Sequence, residues 1–305
     1  MDALEAHDLS KVYESRGRRV EALDHVDFHL KPRTLFAFLG RNGAGKTTFI
    51  KISATLLLPT AGTVRLFGHD VVHEPRAVRP LIAIVPQEGR PFFHLTPREH
   101  IYEYLRVRGA STESAHDRTE EVLHAMGLLP YSTQIASLLS GGLQQRTLVA
   151  MILATEAPFL FLDEPTLGMD PFARRQVWEI IRRATHRGST VLLTTHYLDE
   201  AEQLSEDLAV IEDGRILYRG TAENLRSRVG REVRLQFGPG VRREDLAAFG
   251  TVFVDRERLT LLASKSVVPE LTDLALRKGS SVTVGPVTLE EAFLELVGRG
   301  IEEDS

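Results

Sequence analysis

The stretch Gly40-Arg41-Asn42-Gly43-Ala44-Gly45-Lys46-Thr47 constrains the fold of this chain more than any other feature. It fits the pattern G-x-x-x-x-G-K-[ST] and lies between an apolar run, Thr34 to Leu39, and a segment that reads as helix from about Lys46. Such a loop cradles phosphate when it joins a buried strand to a helix N-terminus. Its glycines let successive backbone N–H groups turn inward, and the helix end adds partial positive charge. Lys46 then reaches the β and γ phosphates, Thr47 offers a hydroxyl to Mg²⁺, and Thr48 lies beside it. The competing reading is a glycine-rich turn with a chance lysine. Strand before and helix after argue against it.

Two more short runs, Phe159 to Leu162 and Thr190 to Thr195, are almost continuously apolar, as strands become when helices cover both faces of a parallel sheet. The core is therefore expected to be α/β. Leu4 to Leu30 reads as short strands around a polar, basic turn at Ser15 to Arg19, and Gly62 to Phe67 as another strand, together a small antiparallel β layer. Between about 95 and 155 the pattern turns helical. Thr96-Pro97-Arg98-Glu99 has capping-box spacing with proline at the first helical position, so a helix should begin there. A second is expected around Thr119 to Met126, ending at Gly127, and a third from about Ser140 to Ala154. These form a helical subdomain inserted into the α/β core.

After Gly220 the texture changes again. The sequence predicts strand (Glu232 to Phe237), helix (Arg242 to Phe249), hairpin (Val252 to Ala263), helix (Val267 to Lys278), strand (Ser281 to Val284) and a last helix capped at Thr288. Residues 1–220 and 221–305 are thus expected as two domains, the second a small α+β unit. It carries 12 Lys/Arg and 14 Asp/Glu, so it is not a basic arm for nucleic acid. The whole chain has 37 Lys/Arg against 42 Asp/Glu, a net charge of −5 that exerts no general pull on nucleic acid or anionic lipid. No cysteine is present, which excludes disulfides and suits the cytosol. The longest apolar run, which includes Val149 to Ala154, is far short of a membrane span, and Met1 to Ser10 has none of the blocks of a secretory signal. A role at a membrane is expected to run through a partner.

A phosphate cradle needs a metal holder and a group that orders the attacking water. Asp163 and Glu164 follow the run Phe159 to Leu162, at what should be the carboxyl end of a parallel strand. Asp163 is expected to hold Mg²⁺ through its water shell, and Glu164 to polarise the water as general base. The competing reading is a solvated acidic loop.

Leu139-Ser140-Gly141-Gly142-Leu143-Gln144-Gln145-Arg146, 23 positions before Asp163, resembles the signature motif of ABC ATPases. Other motifs of that family stand in matching order: Gln87 in Val85-Pro86-Gln87-Glu88, Asp163 and Glu164 in Phe161-Leu162-Asp163-Glu164-Pro165-Thr166, Leu167-Gly168-Met169-Asp170-Pro171, and His196 in Thr194-Thr195-His196. Tyr13 matches the aromatic that stacks on adenine. The resemblance spans residues 1 to about 220, with Leu143 and Met169 in place of commoner residues. It implies a P-loop NTPase core of ABC ATPase type, which binds ATP and Mg²⁺. It gives Gln87 a contact with Mg²⁺ or the attacking water, and His196 a bond to the γ-phosphate that aligns Glu164. It also assigns Ser140, Gly141 and Gly142 to the γ-phosphate of a second subunit, and Asp170 to bridging the subunits rather than to chemistry.

A homodimer with two sandwiched nucleotides is therefore expected. The segment Gly285 to Leu296 resembles the C-terminal element of drug-resistance and ABC-2-type exporter ATPases, including daunorubicin-resistance-type subunits. That implies a peripheral subunit on the cytoplasmic face, driving an integral membrane subunit whose coupling helix docks near Gln87 and Arg90 to His94. Two alternatives stand beside it: an ABC ATPase acting on nucleic acid or ribosomes, and a non-enzymatic nucleotide sensor. Only 94 positions separate Lys46 from Ser140, too few for the long coiled coil of genome-maintenance members. One set of motifs argues against translation-acting members, and the intact Glu164 and His196 argue against a sensor.

Overall fold

The computed structural model describes residues 1–15, 17–255 and 258–303. Arg16, in the expected basic turn, and the 256–257 tip of the expected hairpin lie outside them. The chain divides into two compact units, Met1–Arg219 and Gly220–Ser305.

The first unit begins with β1 (Leu4–Ser15) and β2 (Arg18–Leu30), a long antiparallel pair where short strands are expected from sequence. Its register slips between Ala6 and Val12, which bends the pair and explains why no simple alternation shows in the sequence. β3 (Leu35–Leu39) is buried at every position and feeds α1 (Lys46–Ser53) through the glycine-rich loop. β4 (Ala61–Leu66) and β5 (His69–Asp70) extend the antiparallel layer, in the order β2-β1-β4-β5. A short helix, α2 (Pro75–Val78), leads to β6 (Ile82–Val85). Phe28 of β2, Phe38 of β3 and Phe49 of α1 meet edge-on or tilted, with centroids 4.9 Å apart for the first pair and 5.0 Å for the second. This aromatic knot clamps α1 between the two sheets, and so fixes the loop that precedes it.

Helices follow. α3 (Pro97–Val107) has the capping box read from sequence: the Thr96 hydroxyl accepts the Glu99 N–H at 3.2 Å, and the Glu99 carboxylate accepts the Thr96 N–H at 2.8 Å. α4 (Thr112–Ala125) starts two turns earlier than Thr119, capped by Ser111. Its first turns are polar and carry no apolar stripe, but Ser111 marks the start. α5 (Gly141–Leu153) is capped by Ser140.

The chain then returns to the main sheet with β7 (Phe159–Asp163), α6 (Pro171–His186), β8 (Thr190–Thr195), α7 (Leu198–Leu204), β9 (Asp207–Glu212) and β10 (Arg215–Gly220). The six-stranded order is β10-β9-β3-β8-β7-β6, with β9, β3, β8, β7 and β6 mutually parallel. Asp163 is the last residue of β7 rather than the first of a loop. The carboxyl ends of β3, β6, β7 and β8 lie at one edge of the sheet, where such folds carry their ligands.

The second unit opens with α8 (Ala222–Arg228) and β11 (Val233–Phe237). In place of the helix expected over Arg242 to Phe249 there is a single turn, α9 (Arg243–Leu246), because Gly250 and the strand after it draw the chain away. β12 (Thr251–Asp255), β13 (Arg258–Ala263), α10 (Val268–Arg277), β14 (Val282–Gly285) and α11 (Leu289–Glu303) complete it. Its antiparallel sheet runs β12-β13-β11-β14, and Leu235, Phe237, Leu246, Leu261 and Leu271 fill the core beneath.

Candidate active site

Between β3 and α1 the backbone takes a path that only glycine permits. Gly45 has φ +109°, and a Cβ there would stand 2.4 Å from the carbonyl oxygen of Ala22. At Gly40 a Cβ would lie 2.3 Å from the Ile211 carbonyl oxygen of β9. Gly45 caps α1 without any side-chain acceptor, so the first N–H groups of the helix remain for an anion, and the helix dipole favours negative charge there. Lys46 is buried, and its ammonium donates to the carbonyl oxygens of Gly40 at 2.7 Å and Arg41 at 2.9 Å. Burial pulls its pKa below the usual lysine range, and the charges of Glu164, Asp163 and Glu212 pull the other way. Arg41, Asn42 and Gly43 are exposed at the tip, Ala44 is buried beneath them. Tyr13 does not pack into the core: it is 40% exposed, its hydroxyl 3.4 Å from the Thr48 hydroxyl.

The sequence-predicted groups after the other strands gather at the same edge. The Thr47 hydroxyl donates to the Gln87 side-chain oxygen at 3.2 Å, joining two of the three expected metal-holding residues. Asp163, the third, is buried and accepts the Thr194 hydroxyl at 2.5 Å. Glu164 sits at φ +53°, a left-handed conformation costly for a residue with a Cβ, and its N–H donates to Thr194. The bend turns its buried carboxylate toward His196, whose Nδ1 is 2.8 Å from Glu164 Oε2. An ionised carboxylate only accepts, so it pairs with the tautomer that carries its proton on Nδ1, and Nε2 is then the other edge of the ring. Among the described residues no three His, Asp or Glu side chains cluster as a metal site. The set present, one carboxylate with a hydroxyl and an amide oxygen, suits a hard cation that is held mainly by phosphate oxygens.

The signature residues form a separate surface. Ser140 caps α5, its hydroxyl accepting the Leu143 N–H at 3.4 Å, and Gly141 and Gly142 follow at the helix N-terminus. They line a cleft with Arg90, Gly168 and Met169, to which no phosphate-loop residue contributes. The Gln145 amide links the two regions by donating to the carbonyl of Glu164 at 3.3 Å. Asp170 caps α6: it accepts the N–H groups of Phe172 at 3.0 Å and Ala173 at 2.9 Å, and these bonds, that of Ala173 first, hold its pKa below the usual range.

Sequence reasoning missed Thr194, which steadies both Asp163 and Glu164, and Glu200. The latter is fully buried on α7 and accepts the Thr166 hydroxyl and the Trp178 indole N–H, each at 2.8 Å. It thereby ties the segment after Glu164 to α6. Burial raises its pKa, against the hydrogen bonds that favour the charged form. A glutamate in a helix reads as solvated; its neighbours Ala201 and Leu204 on the inner face were the available signal.

A glycine-shaped loop at a helix N-terminus, a buried Asp-Glu pair and an imidazole on the second carboxylate stand at one sheet edge, an arrangement of the kind nucleotide hydrolysis requires. The ABC transporter family matches residues 23–167. The daunorubicin/doxorubicin resistance ATP-binding protein DrrA of Streptomyces peucetius is 37% identical over 99% of this chain and 94% of its own length. This chain belongs to the ABC transporter ATP-binding family. The Nod factor export ATP-binding protein I of Paraburkholderia xenovorans is 34% identical, over 98% of this chain and 99% of that protein. A solved ATP-binding subunit of an ABC transporter superposes with TM-score 0.68 at 28% identity, covering 75% of this chain and 93% of that one. As a member of this ABC family, the chain is an ATP-binding, ATP-hydrolysing transporter subunit with a P-loop NTPase core. Nothing in these likenesses favours an ATPase of nucleic acid or ribosomes.

Proposed function

We propose that the chain powers export through a separate integral membrane subunit, as a peripheral protein on the cytoplasmic face and as a pair of identical ATPase domains. No helix of the described residues is long and apolar enough to cross a membrane. The export assignment is supported by the names of the relatives at 37% and 34% identity, one a drug-resistance protein and one an export protein. Phe92 and Phe93, 67% and 72% exposed after Gln87, offer an apolar contact for the membrane subunit. Residues 221–305 are an accessory domain in this reading.

The observation that carries the hydrolytic assignment is the convergence of Lys46, the Thr47–Gln87 pair, Asp163 and the Glu164–His196 pair at the carboxyl ends of four parallel strands. Tyr13 faces the adenine. The loop from Gly40 to Thr48 binds the phosphates, with the Lys46 ammonium leaving the Gly40 and Arg41 carbonyls to reach the β and γ oxygens. Thr47, Gln87 and, through water, Asp163 would hold Mg²⁺, which neutralises charge on the transferring phosphoryl group. Glu164 accepts a proton from the attacking water. His196, its Nδ1 committed to Glu164, meets the γ-phosphate through Nε2, as a donor when the ring is protonated.

Ser140, Gly141 and Gly142 line a cleft apart from the phosphate loop and complete the γ-phosphate site of a second copy. In Glu164→Gln, nucleotide affinity is expected to persist while turnover falls by ~10³-fold. Wild-type turnover in that variant would remove the general-base role. Co-purification with a multi-span membrane protein would support the transport reading; nuclease-sensitive association with RNA or DNA would contradict it.

A further inference from the structure

Arg174 lies on α6 one turn after its cap Asp170, and sequence reading gives it no role. Its Nε donates to the carbonyl oxygen of Met169 at 3.1 Å. The same guanidinium lies over the ring of Tyr197, with its central carbon 3.8 Å from the centroid. The Tyr197 ring rests in turn against the imidazole of His196, centroids 4.1 Å apart and planes tilted by 39°. His196 Nδ1 is 2.8 Å from the Glu164 carboxylate. Contacts therefore run unbroken from the aspartate loop, Leu167 to Pro171, to the buried glutamate.

Each link has a physical reason to be specific. The His196 side chain is 40% exposed, so its hydrogen bond to Glu164 leaves the ring free to swing unless something backs it. Tyr197 supplies a flat wall on one side, and its own N–H is pinned to the Thr195 hydroxyl at 3.0 Å. The wall is held by a planar cation that stacks on an aromatic face while directing a fixed N–H at a carbonyl, which the single ammonium of lysine does not reproduce. Met169 also lines the signature cleft, so its carbonyl reports the state of that surface.

We propose that Arg174 is a positioning residue for His196: it joins the Met169 carbonyl to the Tyr197 ring, and that ring sets how the imidazole meets Glu164. A shift of the aspartate loop is thereby carried to the hydrolytic centre of the same chain. The functional consequence rests on the reading of His196 as a γ-phosphate ligand.

Full-length protein with isotope-labelled histidine tests this by NMR alongside steady-state ATPase kinetics. The His196 ring signals are assigned by their loss in His196→Ala. Arg174→Met is expected to move them, and to lower kcat by ~5- to 20-fold with KM for ATP changed less than ~2-fold. Tyr197→Ala gives the same pattern, and the double variant is no worse than either single one, since both break one path. Tyr197→Phe, which keeps the ring face, leaves the His196 signals at their wild-type positions. Should Arg174→Met fail to fold, Arg174→Lys carries the same expectation, because it keeps the charge but loses the planar stack. Unmoved His196 signals, or additive losses in the double variant, overturn the proposal. If the signals move while turnover stays at the wild-type rate, the bracket stands and the role given to His196 in turnover falls.

Discussion

The two units of this chain treat buried charge in opposite ways. In the first, Lys46, Asp163, Glu164 and Glu200 are all buried near the carboxyl ends of parallel strands, and the Lys46 ammonium is satisfied by backbone carbonyls of a loop. In the second, the buried Glu291 is spent on structure: it accepts the Thr288 N–H at 2.7 Å in a helix cap and pairs with Arg234 at 3.2 Å. Charge that closes on its own neighbours builds a fold. Charge held in place by backbone geometry and aimed at open space is kept for a ligand, and that contrast supports the proposed site in the first unit.

Substitutions on the two sides should therefore fail differently. The largest effect is expected from Lys46→Ala, which removes the one buried ammonium of the cradle: ATP binding is lost and turnover falls by ~10³-fold or more, while the melting curve is little changed. Calorimetric titration with ATP and a phosphate-release assay check both. Next comes Phe237→Ala, which empties a 1%-exposed position in the second unit's core; it should cost ~3–5 kcal/mol of that unit's stability, read by denaturant unfolding, with kcat of the folded protein unchanged. A large fall in kcat without unfolding would break the comparison.

Glu200 lies between these extremes, buried like a site group but satisfied like a structural one. Burial raises its folded pKa above the ordinary glutamate value of 4.5, so its contribution to stability is fully present below 4.5 and is lost as pH rises through the raised value. Glu200→Gln, isosteric and uncharged, should flatten that dependence above pH 4.5 in thermal melts at stepped pH. A parallel decline in both proteins would show the acid is ionised in the fold. The smallest effect is expected from Thr288→Ala, which removes one half of a capping box and should cost ~1 kcal/mol with no change in ATPase rate.

What was legible in the sequence follows the same division. The phosphate loop, Asp163 and Glu164 could be read because phosphate chemistry demands particular residues in particular loops, and Gln87 and His196 through the family resemblance alone; the structure gathers them at one sheet edge. The buried strands around them were readable as apolar runs, whereas β9 and β10 went unread, although the positive-φ pair Asp213-Gly214 between them is a strong turn signal. α6 was also missed, despite Asp170 and Pro171 marking its start and Val177, Trp178 and Ile181 its inner face. Thr194, Glu200, Arg174 and Tyr197 were illegible for another reason. Thr194 meets Asp163, Glu200 meets Thr166 and Arg174 meets Tyr197 through tertiary contacts between segments far apart in the chain, and no local spacing encodes those.

The central claim is that each chain carries two incomplete halves of a hydrolytic site, a phosphate loop with Glu164 and a signature surface apart from it, which close on ATP only when two copies meet. Sedimentation velocity of Glu164→Gln with saturating Mg-ATP tests it most directly. A nucleotide-dependent shift from monomer to dimer, absent with ADP, is the predicted result; a protein that stays monomeric with ATP bound would contradict the account.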